Sequence, residues 1–167
     1  MVAVATNRPS CGGAAFAREQ GIPLGELSQK DFSSADERDA VMRDFFRSHA
    51  VELVVDAGYD RIHTQPFLEA FGGRIVNVHP SLLPDFAGGM DAVEQALRAG
   101  VKTTGATVHL VTADLDAGPV LVQESVPVLA GDTVETLRRR IHGAEYRILP
   151  RAIRSMEARL AKSSAVG

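Results

Sequence analysis

Short apolar runs along this chain alternate with longer stretches in which apolar residues recur every three to four positions. The short runs predict strands and the longer stretches predict helices. The predicted strands span 2–6, 22–27, 51–55, 75–79, 104–111 and 120–126, and the predicted helices span 12–20, 34–49, 65–71, 91–99 and 132–161. Because strands and helices alternate before the last two neighbouring strands, we expect an α/β fold with an open, mainly parallel sheet and helices on both faces.

Helix ends are marked by recognisable residues. Residues 34–37 form the pattern Ser-Ala-Asp-Glu, which is typical of a helix N-terminus that is capped by serine and glutamate. Apolar side chains at Val41, Met42, Phe45 and Phe46 predict the buried face of that helix. Pro150 lies inside the last helical stretch, where we expect it to kink the helix or divide it in two.

Composition narrows the class of protein. The chain has 167 residues, of which 45% are hydrophobic and 23% charged, as expected for one globular domain over residues 1–167. A net charge of −3 provides no basic field for nucleic acid. Cys11 is the single cysteine, which excludes an internal disulfide and a multi-thiolate metal site and favours the cytoplasm. No apolar run approaches the ~20 residues of a membrane span, and no helical histidine spacing suggests a metal.

Candidate chemistry is concentrated where the strand that begins at Ile75 ends. Pro80 stops this strand, and the alternation of side chains places Asn77 and His79 on one face. An imidazole and a carboxamide together suit the stabilisation of charge on a carbonyl oxygen during acyl transfer. The alternative is that both residues are structural: Asn77 supplies hydrogen bonds to a turn, and His79 covers the edge of a core.

An acidic residue that could orient His79 lies in the segment 114–119, Asp-Leu-Asp-Ala-Gly-Pro. Gly118 and Pro119 predict a tight turn, which could hold the Asp116 carboxylate at the end of the sheet beside the imidazole. The alternative is that Asp116 only forms the turn.

Three motifs in order resemble one enzyme family. They are Asn-Val-His-Pro-Ser-Leu-Leu-Pro at 77–84, Gly-Ala-Thr-Val-His at 105–109 and Asp-Leu-Asp-Ala-Gly-Pro at 114–119. Together they resemble the phosphoribosylglycinamide formyltransferases of purine synthesis, and the resemblance covers nearly the whole chain. It implies a Rossmann-like formyltransferase fold, 10-formyltetrahydrofolate as co-substrate, glycinamide ribonucleotide as formyl acceptor and no metal. It also implies that Asn77, His79 and Asp116 are the catalytic residues.

The resemblance extends to residues that bind the substrates. Two loops match those that surround the pterin, largely through backbone groups, and one carboxylate matches a group that contacts the ribonucleotide. The loop residues are Asp60, Arg61, Ile62 and His63, then Thr112, Ala113, Asp114 and Leu115, and the carboxylate is Glu145. His109 lies in a strand of the family and could equally be structural. The implied partners are small molecules, with a homodimer as an open expectation.

The chain also departs from the family pattern. Members normally begin with another strand, a Gly-x-Gly-Ser-Asn-type phosphate loop and a helix, none of which precedes Met1 here. We therefore expect this chain as written to transfer formyl groups poorly. Ala35 replaces a common arginine, Asp60 replaces a usual apolar residue, and the loop at 87–90 is one residue longer than usual.

Several other functions fit the sequence less well or remain open. A methionyl-tRNA formyltransferase shares the first and third motifs but needs a further basic domain, and a formyltetrahydrofolate hydrolase usually carries a regulatory domain. A serine hydrolase is disfavoured because no Gly-x-Ser-x-Gly segment is present. A non-catalytic, folate-binding remnant of the family remains open.

Overall fold

The computed structural model describes residues 1–89 and 91–164, which form two compact units. The first unit contains residues 1–54 and 59–72, and the second contains residues 55–58 and those from 73 onward. In the first unit the elements are β1 (Val4–Thr6), α1 (Gly12–Glu19), β2 (Leu24–Glu26), a 3₁₀ turn (Gln29–Asp31), α2 (Ala35–Ser48) and α3 (Gln65–Phe71). Strands β1 and β2 pair in parallel.

Helix α2 shows how the first unit is held together. Ser34 Oγ accepts a hydrogen bond from the Glu37 amide at 3.1 Å, so the predicted cap is confirmed. Phe46 packs against the rings of Phe67 and Phe71 in α3, with centroid separations of 6.1 Å for both pairs. The predicted buried face needs correction, because Val41 is 44% exposed. The buried positions of α2 are Arg38, Asp39, Met42 and Phe46.

The second unit is built on a four-stranded sheet in the order β3-β4-β5-β6. Its elements are β3 (Val54–Asp56), β4 (Ile75–His79), α4 (Ala92–Arg98), β5 (Thr103–Leu110), β6 (Val120–Pro127) and α5 (Val134–Ser164). The predicted α/β class is confirmed. Parallel and antiparallel pairs both occur, because β1 pairs parallel with β2 in the first unit whereas β5 pairs antiparallel with both β4 and β6. The loop that contains Gly118 and Pro119 returns the chain between β5 and β6 as a hairpin.

Helix α5 packs on β5 and β6 and supplies much of the core of the second unit. It is one helix through Pro150, so of the two predicted outcomes, a kink or a division into two helices, the division is wrong. Buried side chains occur on both sides of the proline, at Ile141, Ile148, Ala152 and Met156. Their burial stabilises the helix across the position where Pro150 removes one backbone hydrogen bond.

A β-bulge interrupts the pairing of β5 and β6 next to His109. Val108 pairs with Val122 but His109 pairs with Val120, so Leu121 is an extra residue on β6. Such an insertion bends the strand and increases its local twist.

Within the described ranges, no helix combines the length and the hydropathy that a membrane crossing requires. Met90, in the loop that the sequence marks as one residue longer than usual, lies outside the described residues.

Candidate active site

His79 is the last residue of β4 and is 5% exposed. Its Nδ1 atom lies 3.5 Å from Oδ2 of Asp116, and its Nε2 atom donates to the Phe86 carbonyl oxygen at 3.1 Å. Both ring nitrogens therefore face oxygen acceptors, and only the doubly protonated imidazolium can donate to both at once.

Asp116 reaches the histidine from the loop between β5 and β6. Its backbone is in the left-handed region with φ of +53°, a conformation that aspartate tolerates better than most side chains. Oδ2 also accepts a hydrogen bond from the Gly88 amide at 2.8 Å. The carboxylate thus faces the ring of His79 and is also held by the loop that follows β4. The Asp116 side chain is 6% exposed.

Asn77 and His109 are paired across β4 and β5. His109 Nδ1 donates to the Leu110 carbonyl oxygen at 2.9 Å, and its Nε2 lies 3.2 Å from the Asn77 amide nitrogen. Burial lowers the pKa of His109, which favours the neutral ring with its proton on Nδ1. Nε2 is then an acceptor for Asn77, and the second N–H of the carboxamide remains available to a substrate.

His109 also contacts the third member of the group, since its Nε2 lies 3.6 Å from Oδ1 of Asp116. The structure therefore brings Asn77, His79 and Asp116 together around one additional histidine. The arrangement offers an imidazole, an amide donor and a fixed carboxylate, which together can stabilise an oxyanion and transfer protons.

A buried polar cluster anchors the loop after His79. Thr107, the residue paired with His79 on β5, donates from Oγ1 to the Ser81 carbonyl oxygen at 2.7 Å and accepts from the Leu83 amide at 3.1 Å. Gln123 on β6 donates to the same hydroxyl and to the Leu83 carbonyl oxygen, both at 2.9 Å. These bonds fix the main chain that leads to Phe86.

The predicted substrate-binding residues of the second unit lie at two places. The side chains of Thr112, Ala113, Asp114 and Leu115 are exposed in the loop that ends at Asp116. Glu145 lies on α5 with its side chain 16% exposed, and burial raises the pKa of this carboxyl. His142 Nε2 is 3.9 Å from its Oε2 atom.

The predicted substrate-binding residues of the first unit form one short segment, residues 60–63. Asp60 accepts a hydrogen bond from Asn7 at 2.7 Å and pairs with Arg8, and these partners hold the pKa of its carboxyl below the ordinary value. The side chain of Ile62 is 61% exposed, whereas that of His63 is buried. The Arg61 guanidinium lies 3.5 Å from the Asp60 carboxylate.

Sequence reasoning left His109 undecided and missed the supporting residues Thr107 and Gln123. The signal for His109 was its position in a strand adjacent to β4, which places it opposite Asn77 only if the pairing is antiparallel. In the described ranges, no group of three or more His, Cys, Asp or Glu side chains could hold a metal ion.

Residues 1–153 match the model of the family described as formyl transferase. The chain is 44% identical over 156 residues to the phosphoribosylglycinamide formyltransferase of Mycobacterium tuberculosis, covering 93% of this chain and 72% of the relative. It is also 42% identical over 153 residues to the trifunctional purine biosynthetic protein adenosine-3 of Gallus gallus. That match covers 92% of this chain but only 15% of the avian protein, so the chain spans a small part of this relative.

Solved structures agree with these relatives. The crystal structure of glycinamide ribonucleotide transformylase 1 from Symbiobacterium toebii superposes with a TM-score of 0.88 at 46% identity, covering 91% of this chain and 72% of that one. Phosphoribosylglycinamide formyltransferase from Streptococcus pneumoniae gives a TM-score of 0.89 at 35% identity, with 93% and 86% covered.

Proposed function

This chain belongs to the formyl transferase family, and we propose that it transfers a formyl group from 10-formyltetrahydrofolate to the amine of glycinamide ribonucleotide. The observation that carries the proposal is the convergence of Asn77, His79 and Asp116 in a chain of this family.

In the proposed reaction the primary amine of glycinamide ribonucleotide attacks the formyl carbon, and the carbonyl oxygen becomes an oxyanion. The imidazolium of His79 and the free N–H of Asn77 stabilise this charge. The amine loses a proton, the bond between the formyl carbon and N10 breaks, and tetrahydrofolate leaves with a proton on N10. Asp116 stabilises the charged imidazole and relays protons, directly or through water.

The substrate-binding residues are proposals of the same kind. Asp60, Arg61, Ile62 and His63 in one loop and Thr112, Ala113, Asp114 and Leu115 in another are assigned to the folate. The burial of the His63 side chain supports a backbone role for this residue. Glu145 is assigned to the ribonucleotide, and burial raises the pKa of its carboxyl, which can accept hydrogen bonds through both oxygens once it is ionised.

The test is a transfer assay with purified protein, 10-formyltetrahydrofolate and glycinamide ribonucleotide, in which formylglycinamide ribonucleotide is quantified by chromatography. We expect product to accumulate slowly with the wild-type chain and to fall sharply with Asp116→Asn, which removes the charge but keeps the side-chain volume. A matched control is Asp36→Asn, at an exposed aspartate near the start of α2 that is assigned neither a catalytic nor a substrate-binding role.

Two results would contradict the proposal. One is the absence of product from a folded wild-type protein at high concentrations of both substrates. The other is release of formate at the same rate with and without the ribonucleotide, which would indicate a hydrolase.

We also infer a cytoplasmic setting. A single cysteine in 167 residues supports a reducing compartment. The family match runs through both compact units, which supports the interpretation of the chain as a single formyltransferase domain.

A further inference from the structure

Two charged residues of α2 are buried in the first unit. The side chain of Arg38 is 2% exposed and that of Asp39 is 0% exposed. The guanidinium contacts Oδ1 of Asp39 with two nitrogens, Nε at 2.8 Å and Nη2 at 2.6 Å. Removing two charges from water has a high desolvation cost, which the pair recovers only through good geometry and further hydrogen bonds.

The further hydrogen bonds lead to one short segment of main chain. Arg38 Nη2 donates to the Ile62 carbonyl oxygen at 3.3 Å. Asp39 Oδ2 accepts from the Thr64 amide at 2.6 Å. The ion pair therefore holds the backbone on both sides of His63. Gln29 accepts from the remaining guanidinium nitrogen, Nη1, at 3.3 Å.

The segment between these two anchors has a buried side and an exposed side. The ring of His63 is stacked between Tyr59 and Phe67, with centroid separations of 5.0 and 4.3 Å. The side chain of Ile62 is 61% exposed. The hydrogen bonds reach the segment from the helix side, so they leave its outer side chain accessible.

We propose that Arg38 and Asp39 are positioning residues for the folate, because they fix the backbone of residues 62–64 in the conformation that binds it. This inference rests on the proposed function, in which residues 60–63 contact the folate. A loop whose backbone is already ordered loses less conformational entropy when its ligand binds. Apolar side chains of similar size could fill the same space, but they could not donate to Ile62 or accept from Thr64.

The experiment compares Arg38→Met, Arg38→Lys and Asp39→Asn with the wild-type chain. Arg43→Met is the matched control, because Arg43 also pairs with the next residue on α2, through Nε and Oδ1 of Asp44 at 2.8 Å, but lies on the exposed side. Folate affinity is measured with 5-formyltetrahydrofolate, which cannot serve as the N10 formyl donor. Steady-state assays give KM for each substrate and kcat, and hydrogen exchange of the Thr64 amide reports on the backbone directly.

We expect Arg38→Met to raise the Kd for 5-formyltetrahydrofolate and the KM for 10-formyltetrahydrofolate by about 10- to 100-fold. The KM for glycinamide ribonucleotide and kcat should stay within about threefold of the wild-type values. The Thr64 amide should exchange faster in the same variant, because its acceptor loses the guanidinium that orients it. Arg38→Lys should recover part of the affinity, and Arg43→Met should match the wild type in every measurement.

Wild-type folate affinity in a folded Arg38→Met protein would overturn the inference and reduce the pair to a structural role. A similar rise in the KM values of both substrates, together with a fall in kcat, would overturn it as well. If Arg38→Met does not fold, near-UV circular dichroism will show this, and Arg38→Lys and Asp39→Asn then decide by the same readouts. A wild-type chain that neither binds folate nor transfers formyl groups would refute the proposed function and this inference together.

Discussion

Nδ1 of His79 lies 3.5 Å from Oδ2 of Asp116, although one residue ends a strand and the other lies in a distant loop. The same oxygen of Asp116 accepts a hydrogen bond from Gly88, and the other nitrogen of His79 donates to Phe86. The two loops therefore hold the carboxylate and the imidazole against each other. Both groups are therefore in place before any substrate is bound.

The first prediction concerns His79. Replacement by alanine should lower kcat by roughly two to four orders of magnitude, because the proposed mechanism loses the positive charge that stabilises the oxyanion. The affinity for 5-formyltetrahydrofolate, measured by calorimetry, should change much less. An unchanged kcat in the alanine variant would assign His79 a structural role only.

The second prediction uses two buried threonines of β5. Thr107→Val should destabilise the protein by about 2–4 kcal/mol, because the Ser81 carbonyl and the Leu83 amide lose their shared partner. Thr104 is 2% exposed and its hydroxyl has no hydrogen-bond partner among the described residues. Thr104→Val should therefore be neutral or stabilising by up to about 1 kcal/mol. Urea unfolding of both variants tests the pair, and equal losses of stability would contradict the role of Thr107.

The third prediction concerns the pH dependence of stability. Burial lowers the pKa of His109 in the folded protein, so on acidification the unfolded chain binds a proton on this ring before the folded chain does. The contribution of the His109 ring to the free energy of unfolding is fully favourable above the ordinary pKa of about 6.5 and is lost as the pH falls below that value. The loss amounts to at most about 1.4 kcal/mol per pH unit for one proton.

The variant His109→Gln should lose less stability than the wild type between about pH 7 and pH 5. Comparing the two proteins cancels the contributions of the other histidines. The free energy of unfolding, measured in urea at several pH values, provides the test. Parallel pH profiles would show that His109 does not resist protonation in the folded state.

The fourth prediction compares two glycines. A methyl group at Gly118 would lie 1.8 Å from the Leu110 carbonyl oxygen, so Gly118→Ala forces the backbone beside Asp116 to move. We expect a loss of about 3 kcal/mol or more. Gly143 lies inside α5, where the nearest atom to an added methyl group is Arg147 Nη1 at 3.6 Å. Gly143→Ala should stabilise the protein by about 0.5–1 kcal/mol, since alanine favours the helix. Thermal unfolding separates these outcomes, and a Gly118→Ala protein as stable as the wild type would refute the steric argument.

Much of the fold was predictable because local signals and burial agree. The period-two pattern from Ile75 and the stop at Pro80 give β4 its observed bounds, and the cap at Ser34 gives the start of α2. Pro150 does not divide the last helix, because tertiary packing of Ile148 and Ala152 outweighs its local preference. Packing against distant strands cannot be inferred from the residues next to Pro150 in the sequence.

The candidate site was predictable only as far as its residues carry motifs. Asn77, His79 and Asp116 were identified because each ends or follows a recognisable strand or turn. The partnership of Asn77 with His109 depends on antiparallel register, which a single sequence does not specify. Arg38 and Asp39 were overlooked because charged residues on a helix are usually solvent-exposed, whereas these share the face of Met42 and Phe46.

The bulge at Leu121 constrains how this chain can vary in length. It leaves one residue of β6 without a partner on β5, and the strand bends and twists more strongly at that point. Deleting Leu121 would make Val120 and Val122 neighbours in a regular ladder, so the bend would be lost and the loop that carries Asp116 would leave the sheet in a different direction. Insertions and deletions acquired during evolution should therefore be excluded from this part of β6.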